Sequence, residues 1–288
     1  MLLSYFRKID AYSAIRVFAA AIVAFAVHWS TGIESWQDVV MSFGLGALWL
    51  WLSWTLLRDR WVIKASALRF MTYLLLALYW SVEFEISTLL FYTLVVELNW
   101  YLAERYKRKD SVLSVLHSGT LTALSSLWLS QEALYYAGTV LMIWLVTGGV
   151  KVKTILQWLL AWFMVIVPLT YFLTREEFNS QSYSNVPLGW WSLLMVLSIV
   201  AIGQWVQSYL KANQKNKSRS IVAGLFVAGG GSLGWWLGSY FGTAICIMGL
   251  SYHLANSLRY FKRDRLAEVL FYLVLTFVLV SHYDVIPW

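Results

Sequence analysis

The chain has 288 residues, of which 60% are hydrophobic and only 13% charged, with 18 Trp, 17 Tyr, 15 Phe and a net charge of +7. That apolar fraction far exceeds what a soluble domain hides in one core, so the composition excludes an ordinary globular protein and points to a bilayer as the solvent. One cysteine, Cys246, excludes an internal disulfide and a Cys-based metal site.

A helix needs about 20 apolar residues to cross the hydrocarbon. By that measure the chain divides into eleven segments near 12–30, 39–57, 65–82, 86–104, 112–130, 132–149, 154–173, 189–210, 220–236, 239–258 and 266–283. The opening run, MLLSYFRKIDAYSAIRVFAAAIVAFAVHW, has charges ahead of an apolar stretch but no convincing small-residue cleavage site. It reads as a retained first helix rather than a signal peptide. No intervening loop is long enough for a soluble domain, so residues 1–288 are expected to form a single integral membrane domain. The fold class expected is all-α, a polytopic transmembrane helix bundle.

The loops orient that bundle. All but one of the 22 Lys and Arg residues fall in alternate gaps: Arg7, Lys8 and Arg16; then Arg58 to Arg69; then Arg105 to Lys109; and onward to Arg265. Arg175 alone falls in the other set, which holds the acids Glu34, Asp38, Glu83, Glu85, Glu132, Glu176, Glu177 and Asp284. Basic residues are retained on the cytoplasmic side of a bacterial inner membrane, so the N-terminus is expected in the cytoplasm and the C-terminus outside. This placement also explains the basic balance without a nucleic-acid partner; membrane lipids and other integral membrane subunits are the partners expected. The loop KANQKNKSRS reads as a solvated basic turn.

Ionisable groups at membrane depth are costly and face protein or water, which makes them the first site candidates. Glu97 lies eight residues before Arg105, and His117 eight residues after Lys109. Both are therefore about 12 Å from one cytoplasmic loop, on consecutive antiparallel helices. Together with Asn99 and the nearby Ser118 they suggest a proton-handling or polar-ligand pair; the plainer alternative is a protonated Glu97 hydrogen-bonding a neighbouring helix as structural glue. His28, His253 and His282 lie near segment ends, where an interfacial position is expected, and the histidines lack paired metal-ligand spacing, so no metal is expected.

Glu34 and Asp38, in the first outward loop STGIESWQD, form a second constellation. Membrane enzymes that use polyprenyl-phosphate sugars place an acid there as general base or metal ligand. Acids facing outward are also what the topology permits. Pro168, in MVIVPLTYF, is expected to kink the seventh segment. The ninth and tenth segments are glycine-dense. Gly234, Gly238 and Gly242 share a four-residue spacing, as do Ser220, Gly224 and Ala228, and such faces let helix backbones approach closely. Gly229, Gly230 and Gly231 are alternatively a helix break at a lined cavity. The run lacks a following Lys-Ser/Thr, so it is no phosphate loop, and no cofactor is expected.

The opening SYFRKID, the stretch VVELNWYLAERYKRKDSVLSVLHSGTLTALSSLWL and the run ILQWLLAWFMVIVPLTYFL, with Arg7, Asn99, Arg105 and Pro168 as landmarks, resemble an uncharacterised family of inner-membrane proteins of about 300 residues in Bacteroidota. The likeness covers about the first 175 residues and implies a polytopic membrane fold; it brings no activity, cofactor or catalytic residue. Lacking a catalytic motif, the sequence leads to a non-catalytic or accessory subunit of a cell-envelope membrane assembly. Two alternatives stand beside it: a transporter or lipid-carrier flippase using Glu97 and His117, and a glycosyltransferase-like enzyme using a polyprenyl-linked sugar with Glu34 or Asp38 as base.

Overall fold

The computed structural model describes residues 12, 15–16, 19–23, 26, 36–57, 67–80, 86–109, 111–129, 132–148, 151–173, 196–199, 202–203, 206, 209–210, 214–260, 268–269 and 271–276. Among them the chain is helical and has no strand. Eight long helices stand out: α1 (Trp36–Leu57), α2 (Ala67–Trp80), α3 (Ile86–Lys109), α4 (Val112–Leu129), α5 (Ala133–Gly148), α6 (Val152–Leu173), α7 (Gln214–Leu237) and α8 (Tyr240–Tyr260). They correspond to eight of the eleven apolar segments. The described residues at 15–26, 196–210 and 268–276 are helical too. Glu34, His28, His282 and Arg175 lie outside the described residues, as does the side chain of Asp38, whose backbone belongs to the first turn of α1.

Helix α3 is the hub: it packs against α1, α2, α4, α5 and α8. Its buried side chains run all around its circumference, from Leu89 and Leu90 through Val95 and Val96 to Ala103. By length and apolarity its stretch Ile86–Lys107 suffices to cross a membrane, while Val40–Trp49, Ala133–Thr147 and Val152–Pro168 are apolar but shorter. The outer helices behave differently. On α6, Val152, Leu156, Leu160, Phe163, Met164 and Val167 form an exposed apolar stripe at helical spacing. Helix α6 continues through Pro168 to Leu173.

Helices α7 and α8 form an antiparallel hairpin joined by two residues, Gly238 and Ser239. Gly238 takes φ 62°, the left-handed conformation that a side chain disfavours and that commonly ends a helix. Ser239 then starts α8 as its N-cap. Its hydroxyl accepts the amide of Gly242 at 2.8 Å, and its carbonyl accepts that of Thr243 at 3.0 Å. Along the hairpin the two backbones nearly touch. A Cβ on Gly230 would lie 2.6 Å from the Gly242 carbonyl oxygen, and one on Gly249 would lie 2.9 Å from that of Ala223.

The glycine run thus works as a packing seam, but in a register of its own. Residues 223, 227, 230 and 234 of α7 meet 249, 246 and 242 of α8. Of the four-residue series, Gly234 and Gly242 face each other across the seam, Gly238 forms the turn, and Gly224 borders a cavity instead. The helix passes unbroken through Gly229, Gly230 and Gly231.

One reading of the loops changes. The basic stretch after 210 is not a solvated turn throughout: α7 begins at Gln214 and takes in the rest of it, and Arg219 is buried because a carboxylate neutralises it. His253 of α8 is 4% exposed, packed by protein where it bonds to the backbone of Ala223.

Candidate functional site

The buried polar groups of the molecule are organised by α3, on two opposite sides. Glu97 and Glu104 are seven residues apart, two helical turns, so they share one side of the helix about 10 Å apart along its axis. Asn99, two residues after Glu97, projects to the opposite side.

On the first side each acid holds an arginine from another helix. Arg69 of α2 donates through Nη2 to Glu97 Oε1, and both side chains are buried. The Arg69 guanidinium also lies over the Tyr252 ring of α8, 5.3 Å from its centroid. One turn along α2, Tyr73 bonds Thr93 of α3 at 2.7 Å between hydroxyl oxygens. Nearer the end of α3, Arg219 of α7 grips Glu104 with two bonds. Nε donates to Oε1 and Nη2 to Oε2, both at 2.8 Å, in the fork geometry that suits a guanidinium and a carboxylate. Between the two acids Trp100 packs edge-on against Phe226 of α7 and tilted against Tyr252. Helices α2, α7 and α8 are therefore tied to α3 by two ion pairs with an aromatic wall between them.

On the second side Asn99 joins four helices. Its Nδ2 donates to the Val95 carbonyl at 3.0 Å and to Tyr136 Oη of α5 at 2.8 Å. Its Oδ1 accepts from Ser118 Oγ of α4 at 2.5 Å and, more weakly, from Thr122 Oγ1 at 3.4 Å. Ser118 Oγ accepts in turn the indole N–H groups of Trp144 on α5, at 2.8 Å, and Trp158 on α6, at 3.1 Å. One hydroxyl thus donates once and accepts twice, which uses its full capacity.

Of the three interior candidates, the structure brings Glu97 to Arg69 and Asn99 to Ser118. His117 points elsewhere: it is exposed on α4, whereas its neighbour Ser118 is fully buried. Adjacent helical residues are about 100° apart, so a shared depth does not place both on the inward face.

A third buried carboxyl, Glu132, sits in the connection between α4 and α5 and is 3% exposed. Its Oε2 accepts the amide of Phe241 at 3.0 Å, so it caps the start of α8 alongside Ser239. Burial pushes its carboxyl above the usual range, opposed by hydrogen bonds from Ser239 and from the start of α8. Among the described residues no group of three or more His, Cys, Asp or Glu side chains lies together in a way that holds a metal ion.

The sequence reading passed over Glu104 and Tyr136 and counted Arg69 and Arg219 as loop charges. The seven-residue spacing of Glu97 and Glu104 was the available signal for the ion-paired face. No pattern marks Tyr136, Trp144 and Trp158 as polar partners, because aromatic residues are common throughout the chain. Comparison with family models, with curated proteins and with solved structures finds no match to this chain.

Proposed function

We propose that this chain is a multi-spanning protein of the bacterial inner membrane, serving as a non-catalytic, accessory subunit of a cell-envelope assembly. The observation that carries the reading is the way the interior polar groups are used. Glu97, Asn99 and Glu104 each bind a neighbouring helix, and two cavities between helices, among the described residues, are bordered mainly by apolar side chains. Groups used in this way fix helix positions. The exposed stripe of α6 supports a lipid or protein-helix environment, since a water-facing surface rarely carries so contiguous an apolar strip.

The alternating loop charges support a cytoplasmic N-terminus and an external C-terminus. Single-cysteine labelling with a membrane-impermeant maleimide tests this, with buried Cys246 as the silent background. Lys151→Cys reacts only after lysis, whereas Ser180→Cys reacts in intact spheroplasts; the reverse pattern removes the orientation. The subunit reading is tested by mild detergent purification from the native membrane. A stable hetero-complex is the expected result, and a monomer that turns over a substrate by itself overturns it.

One observation supports a second reading, a transporter or lipid-carrier flippase: Arg69 and Glu97 are a buried ion pair within apolar helices, and such pairs recur on transport pathways when they lie at membrane depth. A Glu97→Gln variant that assembles normally yet loses proton-linked transport favours this reading. Unchanged transport removes it.

A further inference from the structure

A cavity of about 470 Å³ runs beside α7, bordered by Gly224 and Ala228 of α7, Ile202 and Tyr209 from the preceding segment, and His253 of α8. The small residues help make it: at 224 and 228 the helix presents little bulk, so its wall recedes there. On α7, residues 217, 221, 224 and 228 share one face. Lys217 therefore stands two turns below Gly224, about 10 Å along the helix. Its Nζ lies 5.4 Å from the centroid of the Tyr209 ring, which itself borders the cavity. Lys217 thus stands past one end of the void, outside its lining, held by the ring of Tyr209 that borders it.

Lys217 contrasts with Arg219, two residues on. Arg219 is neutralised by Glu104, whereas among the described residues no carboxylate meets Lys217. An apolar body with an uncompensated cation at one end is complementary to an anionic amphiphile. The end in question is the one that the loop charges place at the cytoplasmic leaflet, where anionic lipids attract basic groups. We propose that this cavity binds an anionic phospholipid, one acyl chain lying against Gly224 and Ala228 and the headgroup phosphate against Lys217. The proposal rests on a membrane location and not on the accessory-subunit reading.

The test uses the full chain, delipidated in mild detergent, with phosphatidylglycerol or phosphatidylcholine titrated in and adducts counted by native mass spectrometry. Wild type is expected to bind phosphatidylglycerol more tightly. Lys217→Gln lowers that affinity about fivefold, the value of one basic contact near the surface, and leaves phosphatidylcholine unchanged. Ala228→Trp fills the cavity and weakens both lipids; Ala228→Leu serves if the Trp variant fails to fold. Lys107→Gln, an exposed base at the end of α3, leaves phosphatidylglycerol binding as in wild type. Three results overturn the proposal: equal affinity for the two lipids, equal losses in Lys217→Gln and Lys107→Gln, or displacement of phosphatidylglycerol by inorganic phosphate alone.

Discussion

The Glu104–Arg219 pair gives the sharpest stability test, because its geometry is complete and both side chains are nearly dry. Two charge-assisted bonds at 2.8 Å join groups that are 9% and 5% exposed. Each such bond contributes about 1.5–3 kcal/mol, and removing one partner of a buried pair costs about 3–5 kcal/mol because the other charge stays buried alone. Arg219→Met and Glu104→Leu should each fall in that range, which is roughly two to four decades in the unfolding constant. Glu104→Leu is the worse, since a guanidinium left without its counter-ion cannot shed its proton. The double variant, apolar on both sides, should recover most of the loss, because two well-packed apolar side chains remove the desolvation cost of both ions. Reversible unfolding in mixed micelles, followed by tryptophan fluorescence, measures all four corners of the cycle. Additive single effects, or single losses below about 1 kcal/mol, would refute the claim that the pair is desolvated and coupled.

The hairpin seam predicts opposite outcomes at adjacent glycines. Gly230→Val drives its side chain into the Gly242 carbonyl and should separate α7 from α8, whereas Gly229→Ala enters open space and should gain up to about 1 kcal/mol of helix propensity in the same unfolding assay. Ser118→Ala removes the shorter of the two hydrogen bonds to Asn99 Oδ1 and leaves the Trp144 and Trp158 indoles unpaired, at about 2–3 kcal/mol, with an altered tryptophan emission; His117→Ala, one residue away but exposed, should stay within about 0.5 kcal/mol of wild type. For Glu132 the folded protein holds its proton more tightly than the unfolded chain, so this group's contribution is most favourable below the ordinary carboxylate range and falls as pH rises through the folded value. Glu132→Gln should flatten that pH slope, measured as stability from pH 4 to pH 8, while Glu132→Ala also loses the cap on Phe241 and costs about 1 kcal/mol.

Hydropathy found α1 to α8 to within a few residues at most boundaries, because an apolar run that must satisfy its own backbone has few alternatives to a helix. The larger miss, six residues at the start of α7, has a definite cause. Ser218, Arg219 and Ser220 look like loop residues in isolation, but Glu104 lies 115 positions away in the chain and is what allows Arg219 inside. The same limit applies to the site. Glu97 and Asn99 stand out as polar groups in an apolar helix, so their burial is legible. Their partners are not, since Arg69, Ser118 and Tyr136 are identified only by which helices lie beside α3. His117 shows the converse error: equal depth on neighbouring helices says nothing about azimuth, and one position separates an exposed imidazole from a buried hydroxyl.

Arg69 and Arg219 also alter what the loop charges mean. Both were counted with the cytoplasmic bases, yet both are inside the protein and held by acids of α3. Without them each gap still keeps a basic majority: Arg58, Arg60 and Lys64 in one, Lys211, Lys215 and Lys217 in the other. The two ion pairs then act as a separate constraint on the same arrangement. Arg69 lies in the first turn of α2 and Arg219 in the second turn of α7, whereas Glu97 lies at the middle of α3 and Glu104 in its last third. Each pair is followed by a second contact farther along, Tyr73 to Thr93 and Phe226 to Trp100, so α2 and α7 both run antiparallel to α3. Loop charges act through solvation at an interface, and these interior charges through compensation in a dry core. The two ion pairs, with Tyr252 over Arg69, are the strongest reason to treat α2, α3, α7 and α8 as one cooperative unit, with Asn99 and Ser118 fastening α4, α5 and α6 to its other side.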